Sequence, residues 1–160
     1  MIARDSVNGW LKEISLAAGL NAGLNDSGIC GLKYKDTVDV FLEVPPTGVN
    51  MYLYSPVLRL DSDPKSDARR LLYEELLKAN FLCQETKGAT LSFDAQENTI
   101  VLCLNQSVEY LDELSFKNLF GNFLELALEW KKRLSDASFS QQDGPAATGL
   151  SIPVNERMMV

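Results

Sequence analysis

The sequence predicts an α+β fold in which three helices pack on a twisted antiparallel sheet, in the order helix–β–β–β–helix–β–β–helix. Three observations support this prediction. Segments with apolar residues at helical spacing alternate with segments that have the two-residue alternation of strands. The strand-like segments are joined by short connections, which are typical of antiparallel neighbours. The chain has 160 residues, of which 46% are hydrophobic, and a chain of this length buries roughly 68–70% of its unfolded surface as one domain.

The first helix and three strands fill the N-terminal part of the chain. The helix is predicted over residues 5–19, where Val7, Leu11 and Ile14 share one face and Gly19 can end it. The strands are predicted at 29–34, 37–44 and 49–54. Lys35-Asp36 and Pro45–Gly48 connect them tightly, so an antiparallel meander is the simplest arrangement.

Aromatic residues lie on one face of this meander. Val38, Val40, Leu42 and Val44 alternate along the second strand and predict its core face. Phe41, Tyr52 and Tyr54 then lie on the opposite face, which is unusually apolar for a face in water. We interpret them either as a partner site or as ordinary scattered surface aromatics.

The C-terminal part of the chain predicts two further helices and two further strands. Asp63 can cap the second helix and Pro64 fits its first position. From residue 136 the composition changes to Gly, Pro, Ser and Gln without a period, so residues 1–135 are predicted to form the domain and 136–160 a flexible tail. The four predicted elements lie at 63–80, 90–94, 99–105 and 112–134.

The composition argues against several kinds of binding partner and indicates the cellular compartment. The net charge is −7 and no basic cluster is present, which argues against nucleic acid and against membranes. No apolar run approaches the roughly 20 residues of a membrane-spanning helix, and the N-terminus lacks the features of a signal peptide. We therefore predict a cytoplasmic protein. Its acidity suits a basic or apolar partner, or serves solubility alone.

The sequence offers little chemistry for catalysis. The chain contains no histidine, which excludes the common nucleophile pairs and imidazole metal sites. Cys30, Cys83 and Cys103 are too far apart for a CxxC motif, so we interpret them as small core or interface residues, with a reactive thiol as the alternative. Phosphate-binding glycine motifs are absent. We predict a protein that is not an enzyme and needs no cofactor.

The strand TIVLCL, residues 99–104, has apolar side chains on both faces. Ile100 and Leu102 alternate with Val101 and Cys103. Burying a Val-sized side chain contributes roughly 1.5–3 kcal/mol to stability. The strand is therefore more stable if another element covers each of its two faces. Helices on both sides of the sheet could provide this cover, but three helices are few, so we predict a two-fold dimer across this strand and the second helix. The predicted dimer interface consists of Leu72, Leu76, Ile100, Val101 and Cys103.

The predicted order of elements is accompanied by a set of short motifs: a leucine-rich helix end with Ala-Asn, a glycine-containing turn, a Leu-x-apolar-Asp strand, an apolar strand and a late tryptophan in the last helix. These motifs lie at Leu76–Asn80, Gly88, Leu91–Asp94, Ile100–Leu104 and Trp130. With them, residues 5–134 resemble the class I type III secretion chaperones, the Tir chaperone family. Lys87 departs from the family, where a second glycine is common, and this affects only the expected turn geometry.

The resemblance implies a homodimer that holds the N-terminal segment of a secreted effector extended, soluble and competent for export. It implies no nucleotide of the chaperone's own, and it makes the ATPase of the secretion apparatus a further candidate partner. Our assignment of the strand and helix faces, and not a family motif, selects the candidate effector-binding residues Leu11, Phe41, Val44, Tyr52 and Tyr54.

Three alternatives to an effector chaperone remain at this point. A close variant within the family sequesters a transcriptional regulator of secretion. A domain that binds a small ligand or acts as an enzyme in a cavity between sheet and helices is a different class. A structural subunit of a larger assembly is the third. The bound molecule that co-purifies with the protein distinguishes among them.

Overall fold

A computed structural model describes residues 2–17, 21–60 and 67–136. The predicted order of helices and strands is confirmed in these residues. The predicted helix end at Gly19, the cap at Asp63 and Pro64, and the tail from residue 137 onward lie outside them. The elements are α1 (Ile2–Ala17), β1 (Ile29–Tyr34), β2 (Val38–Glu43), β3 (Asn50–Arg59), α2 (Asp67–Asn80), β4 (Thr90–Asp94), β5 (Thr99–Ser107) and α3 (Glu113–Asp136), with 3₁₀ turns at Phe81–Cys83 and Val108–Tyr110.

The described strands form one antiparallel sheet in the order β1-β2-β3-β5-β4. β3 continues five residues beyond the predicted end at Tyr54, although Pro56 has no N–H to donate. The register of β3 with β5 shifts between Pro56 and Leu58, and the hydroxyl of Ser55 donates to the carbonyl oxygen of Asp39 on β2 at 2.7 Å. The bulge and this side-chain hydrogen bond allow β3 to continue beyond Pro56.

All three helices pack on the same face of the sheet. The core residues of the strands are the alternate positions that the sequence predicts, including Val40, Leu42, Leu53 and Leu102. The predicted apolar stripe of α3 is buried against them, with Leu119 partly buried at its border. The buried members of that stripe are Phe116, Phe120, Phe123, Ala127, Trp130 and Leu134.

Arg4 on α1 forms hydrogen bonds that connect the segment before β1 to the end of β2. Its Nε donates to the carbonyl oxygen of Val44 at 2.8 Å, and its Nη2 donates to that of Ser27 at 2.7 Å. Gly28 lies beneath this guanidinium with a φ of 85°. A Cβ at this position would overlap both the Arg4 guanidinium and the Val44 carbonyl oxygen.

We therefore expect Gly28→Ala to lower the free energy of unfolding by about 2 kcal/mol or more, because left-handed strain adds to an overlap with backbone. Gly48→Ala is the matched control, since Gly48 also has a positive φ, 95°, but a Cβ there meets nothing within 4 Å. The control should lose only about 1 kcal/mol. Urea unfolding followed by tryptophan fluorescence measures both, and equal losses would contradict the role of the Arg4 contact.

Candidate functional site

The face of the sheet opposite the helices carries an apolar surface that no described element covers. It consists of Phe41 on β2, Tyr52 and Tyr54 on β3, and Val101 and Cys103 on β5, and we call it the sheet surface. Phe41 is the register partner of Tyr54, and Tyr54 that of Cys103, so these side chains form a continuous row across three strands. All five residues are half-buried. Contiguous apolar patches of this kind mark interaction sites.

Two stacked aromatic rings form the centre of the sheet surface. The rings of Phe41 and Tyr54 have centroids 5.2 Å apart and planes inclined by 17°. Gly31 on β1 lies opposite Phe41, and a Cβ on Gly31 would come within 3.2 Å of the Phe41 ring. The absence of a side chain at Gly31 thus leaves room for the ring to lie across β1. The result is a flat aromatic platform.

The ionisable groups around this platform are partly withdrawn from water. Burial, with the neighbouring charge of Glu43, raises the pKa of Tyr54 to about 12, so its hydroxyl stays protonated. Burial also raises the pKa of the Glu43 carboxyl, and Arg4 partly opposes this rise. Burial raises the pKa of the Cys103 thiol as well. Since the thiolate is the reactive form, Cys103 is suited to packing and not to nucleophilic attack.

The structure divides the candidate effector-binding residues into two groups. Leu11 faces the core from α1, and Val44 continues the buried alternation of β2, so both are enclosed within the subunit. These two side chains therefore leave almost no surface for contact with a partner on the described chain. Phe41, Tyr52 and Tyr54 are accessible members of the sheet surface.

The candidate dimer residues are also divided. Leu72 and Leu76 project from α2 into the core, where Ile100 of β5 is buried as well. Val101 and Cys103 lie on the other side of the sheet, half-buried in the sheet surface. Leu72, Leu76 and Ile100 therefore contribute to the stability of one subunit, and they leave almost no exposed area for contact with a second subunit.

A second apolar surface lies on α2 and the turn that follows it. Leu77, Phe81 and Leu82 have 71%, 73% and 70% of their surface exposed, and we call them the helix surface. They are absent from the candidate site residues, although the adjacent apolar pairs Leu76-Leu77 and Phe81-Leu82 indicate more apolar surface than one face of a helix can bury. Neighbouring residues on a helix point about 100° apart, so the face of α2 that buries Leu76 leaves Leu77 exposed. Phe81 and Leu82 lie in the 3₁₀ turn after α2, and both remain exposed.

The described residues line clefts beside α3 and beside α1. One of 640 Å³ lies between residues 87–89, β5 and α3, and the other, of 550 Å³, lies beside α1 and includes Trp10. The charged groups of the larger cleft are paired: Lys87 with Glu129 at 3.2 Å, and Glu125 with Lys35 at 2.9 Å. These pairs leave little charge in the cleft for a small polar ligand.

The described part of the chain shows neither a metal cluster nor a membrane span. Within it, no three His, Cys, Asp or Glu side chains come together in a way that could hold a metal ion. None of its helices combines the length and the apolar character needed to cross a bilayer.

The sequence of residues 9–131 matches the Tir chaperone protein (CesT) family, and the chain belongs to this family of chaperones. The resemblance found in the short motifs is thereby confirmed. No curated protein matches the chain in sequence.

Solved structures of similar fold include chains of three complexes. The match to the ExsC–ExsE complex has a TM-score of 0.66 at 20% identity and covers 81% of this chain and 93% of that chain. The match to the HopA1–SchA chaperone–effector complex has a TM-score of 0.62 at 16% identity, with coverages of 82% and 98%. The match to the ExoU–SpcU complex of the Pseudomonas aeruginosa type III secretion system has a TM-score of 0.56 at 13% identity, with coverages of 79% and 95%. At these identities the likeness shows a common fold.

Proposed function

We propose that the protein is a type III secretion chaperone that binds the N-terminal segment of a secreted effector and keeps it soluble and competent for export. The observation that carries this proposal is the sheet surface, an apolar face that no described element covers, in a chain of the Tir chaperone family. One of the structures of similar fold is a chaperone–effector complex. We place the protein in the cytoplasm, where an effector is held before export, and assign it no catalytic role.

The physical requirements of such a function match the sheet surface. Ordering a disordered segment costs 2–5 kcal/mol or more, so the chaperone must supply large contacts that offset this cost. Phe41, Tyr52 and Tyr54 provide rigid rings, and aromatic residues are the side chains that dominate binding energy at interfaces. The net charge of −7 adds attraction for a basic segment.

We also propose that two copies of the chain pair through the helix surface. An interface with two-fold symmetry places the same patch of both subunits in contact. Leu77, Phe81 and Leu82 form such a patch, since each is a large apolar side chain that its own subunit leaves in water. Val101 and Cys103, on the sheet surface, remain the alternative interface that the sequence predicts.

We expect Phe41→Ala to weaken binding of the effector segment about thirtyfold, because truncating a central aromatic anchor costs about 2 kcal/mol or more. The client is first recovered by pull-down of the wild-type chain from its native host and identified by mass spectrometry. Titration calorimetry with the N-terminal fragment of that client then measures the affinity.

Leu16→Ala is the control for the loss of an apolar side chain, since Leu16 is exposed on α1 and is not part of either apolar surface. It should leave the affinity unchanged. Recovery of no polypeptide client would overturn the chaperone function. An unchanged affinity of the Phe41 variant would remove the sheet surface from the binding site and leave the function standing.

A further inference from the structure

We propose that the sheet surface binds an arginine side chain of the client, with its guanidinium stacked on the Phe41–Tyr54 platform and paired with the carboxylate of Glu43. This inference rests on the proposed function and specifies the chemistry of the client. The occupant is an extended basic segment in which apolar residues flank an arginine.

Glu43 lies at the border of the platform. It is two residues from Phe41 on β2 and therefore points to the same face of the sheet. Its register partner is Tyr52, the neighbour of the platform on β3. Since Phe41 pairs with Tyr54, Glu43 lies diagonally across from Tyr54 on the same face of the sheet. Its charge contributes to the raised pKa of the Tyr54 hydroxyl. The aromatic rings and the carboxylate thus form one site.

The Glu43 carboxylate is half-buried and forms no salt bridge with a residue that the structure describes, although the charge of Arg4 acts on it from a distance. The nearby Arg4 donates instead to the backbone carbonyl oxygens of Val44 and Ser27, at 2.8 and 2.7 Å. Asp39, on the same face of β2, is different: its carboxylate pairs with Lys33 at 2.8 Å. An ionised group that is partly withdrawn from water without a direct ion pair is costly, and a bound cation relieves this cost.

The shape of the site favours arginine among the possible cations. A guanidinium is planar and weakly hydrated, so it can stack on an aromatic ring while its N–H groups pair with a carboxylate. Cation–π attraction at a partly desolvated ring adds to this pairing. A purely apolar side chain on the platform would remove more water from Glu43 and leave its charge uncompensated. Lysine can supply the charge, but not the planar contact.

Two synthetic peptides test the proposal directly. The first is the blocked peptide acetyl-Thr-Val-Thr-Val-Arg-Val-Thr-amide, and the second carries citrulline, which has the shape of arginine without its charge, in place of the arginine. Binding is measured by NMR titration of the isotope-labelled full chain, with the backbone amides of β2 and β3 as reporters. We expect the arginine peptide to bind wild type about tenfold more tightly than the citrulline peptide.

The Glu43→Gln variant should bind both peptides with equal, weaker affinity, because the amide keeps the shape of the side chain but not its charge. Asp39→Asn is the matched control and should preserve the tenfold preference, since Asp39 is already paired with Lys33. An unchanged thermal unfolding curve shows that each variant is folded. Equal affinities of the two peptides for wild type, no binding of either at millimolar concentration, or a preference that survives Glu43→Gln would each overturn the proposal.

The same measurements separate this inference from the proposed function. If the chain captures a client and the Glu43→Gln substitution does not change its affinity, the proposed arginine site is wrong and the chaperone function stands. If the arginine peptide shows the expected preference but no client is recovered, the site stands and the chaperone function fails.

Discussion

Leu72→Ala is expected to lower the free energy of unfolding by about 2–5 kcal/mol, while the variant keeps the oligomeric state of the wild type. Leu72 is 1% exposed and joins α2 to the core that β5 and α3 also line. Truncation to alanine leaves a cavity there that the surrounding side chains only partly fill. Urea unfolding measures the stability, and light scattering measures the oligomeric state.

Leu114→Ala is the control, because Leu114 is a leucine of helix α3 that has 65% of its surface exposed. It should change the free energy of unfolding by less than about 0.5 kcal/mol. A Leu72 variant with normal stability that dissociates into monomers would show that Leu72 belongs to a subunit interface, as the sequence alone predicts. Loss of stability without dissociation places it in the core.

The double variant Leu77→Asp/Phe81→Asp is expected to convert a dimer completely into monomers. Both side chains are exposed on the single subunit, so the folded chain tolerates aspartate there. In a two-fold contact, however, each aspartate of one copy would be desolvated against the apolar patch of the other, which costs several kcal/mol. Sedimentation or light scattering measures the mass, and circular dichroism confirms the fold.

Val101→Asp is the comparison that decides between the two candidate interfaces. Val101 lies on the sheet surface, on the opposite side of the sheet from α2. If Val101→Asp yields monomers and the double variant stays dimeric, the interface is on the sheet surface. If neither substitution changes the mass, both surfaces are excluded as the interface.

The sequence predicts the elements of this protein well, since helical and strand periodicity are local properties. The stripe from Phe116 to Leu134 lies on one face of α3 whatever packs against it, and the alternation around Leu42 defines two faces of β2. The predicted end of β3 at Tyr54 was wrong because the features that carry the strand past Pro56 are not local. The bulge and the Ser55 hydrogen bond both depend on neighbouring strands.

The candidate sites show where local pattern is not sufficient. The sequence correctly separates Phe41, Tyr52 and Tyr54 from the core face of the strands, because alternation alone decides this. It cannot tell that Leu72 and Ile100 are already enclosed by their own subunit. It also does not show that, within the described residues, Asp39 forms a salt bridge while Glu43 does not.

The sequence by itself thus determined the order of the helices and strands and the residues that share each face, because the spacing of apolar residues along a few turns or a short strand carries this information. Only the tertiary structure decided which apolar residues remain for partners. Whether Leu76 or Leu77 is buried depends on where α2 lies against strands distant in the sequence. Local pattern shows which residues share a face, but which apolar faces are covered depends on contacts between segments remote in the sequence.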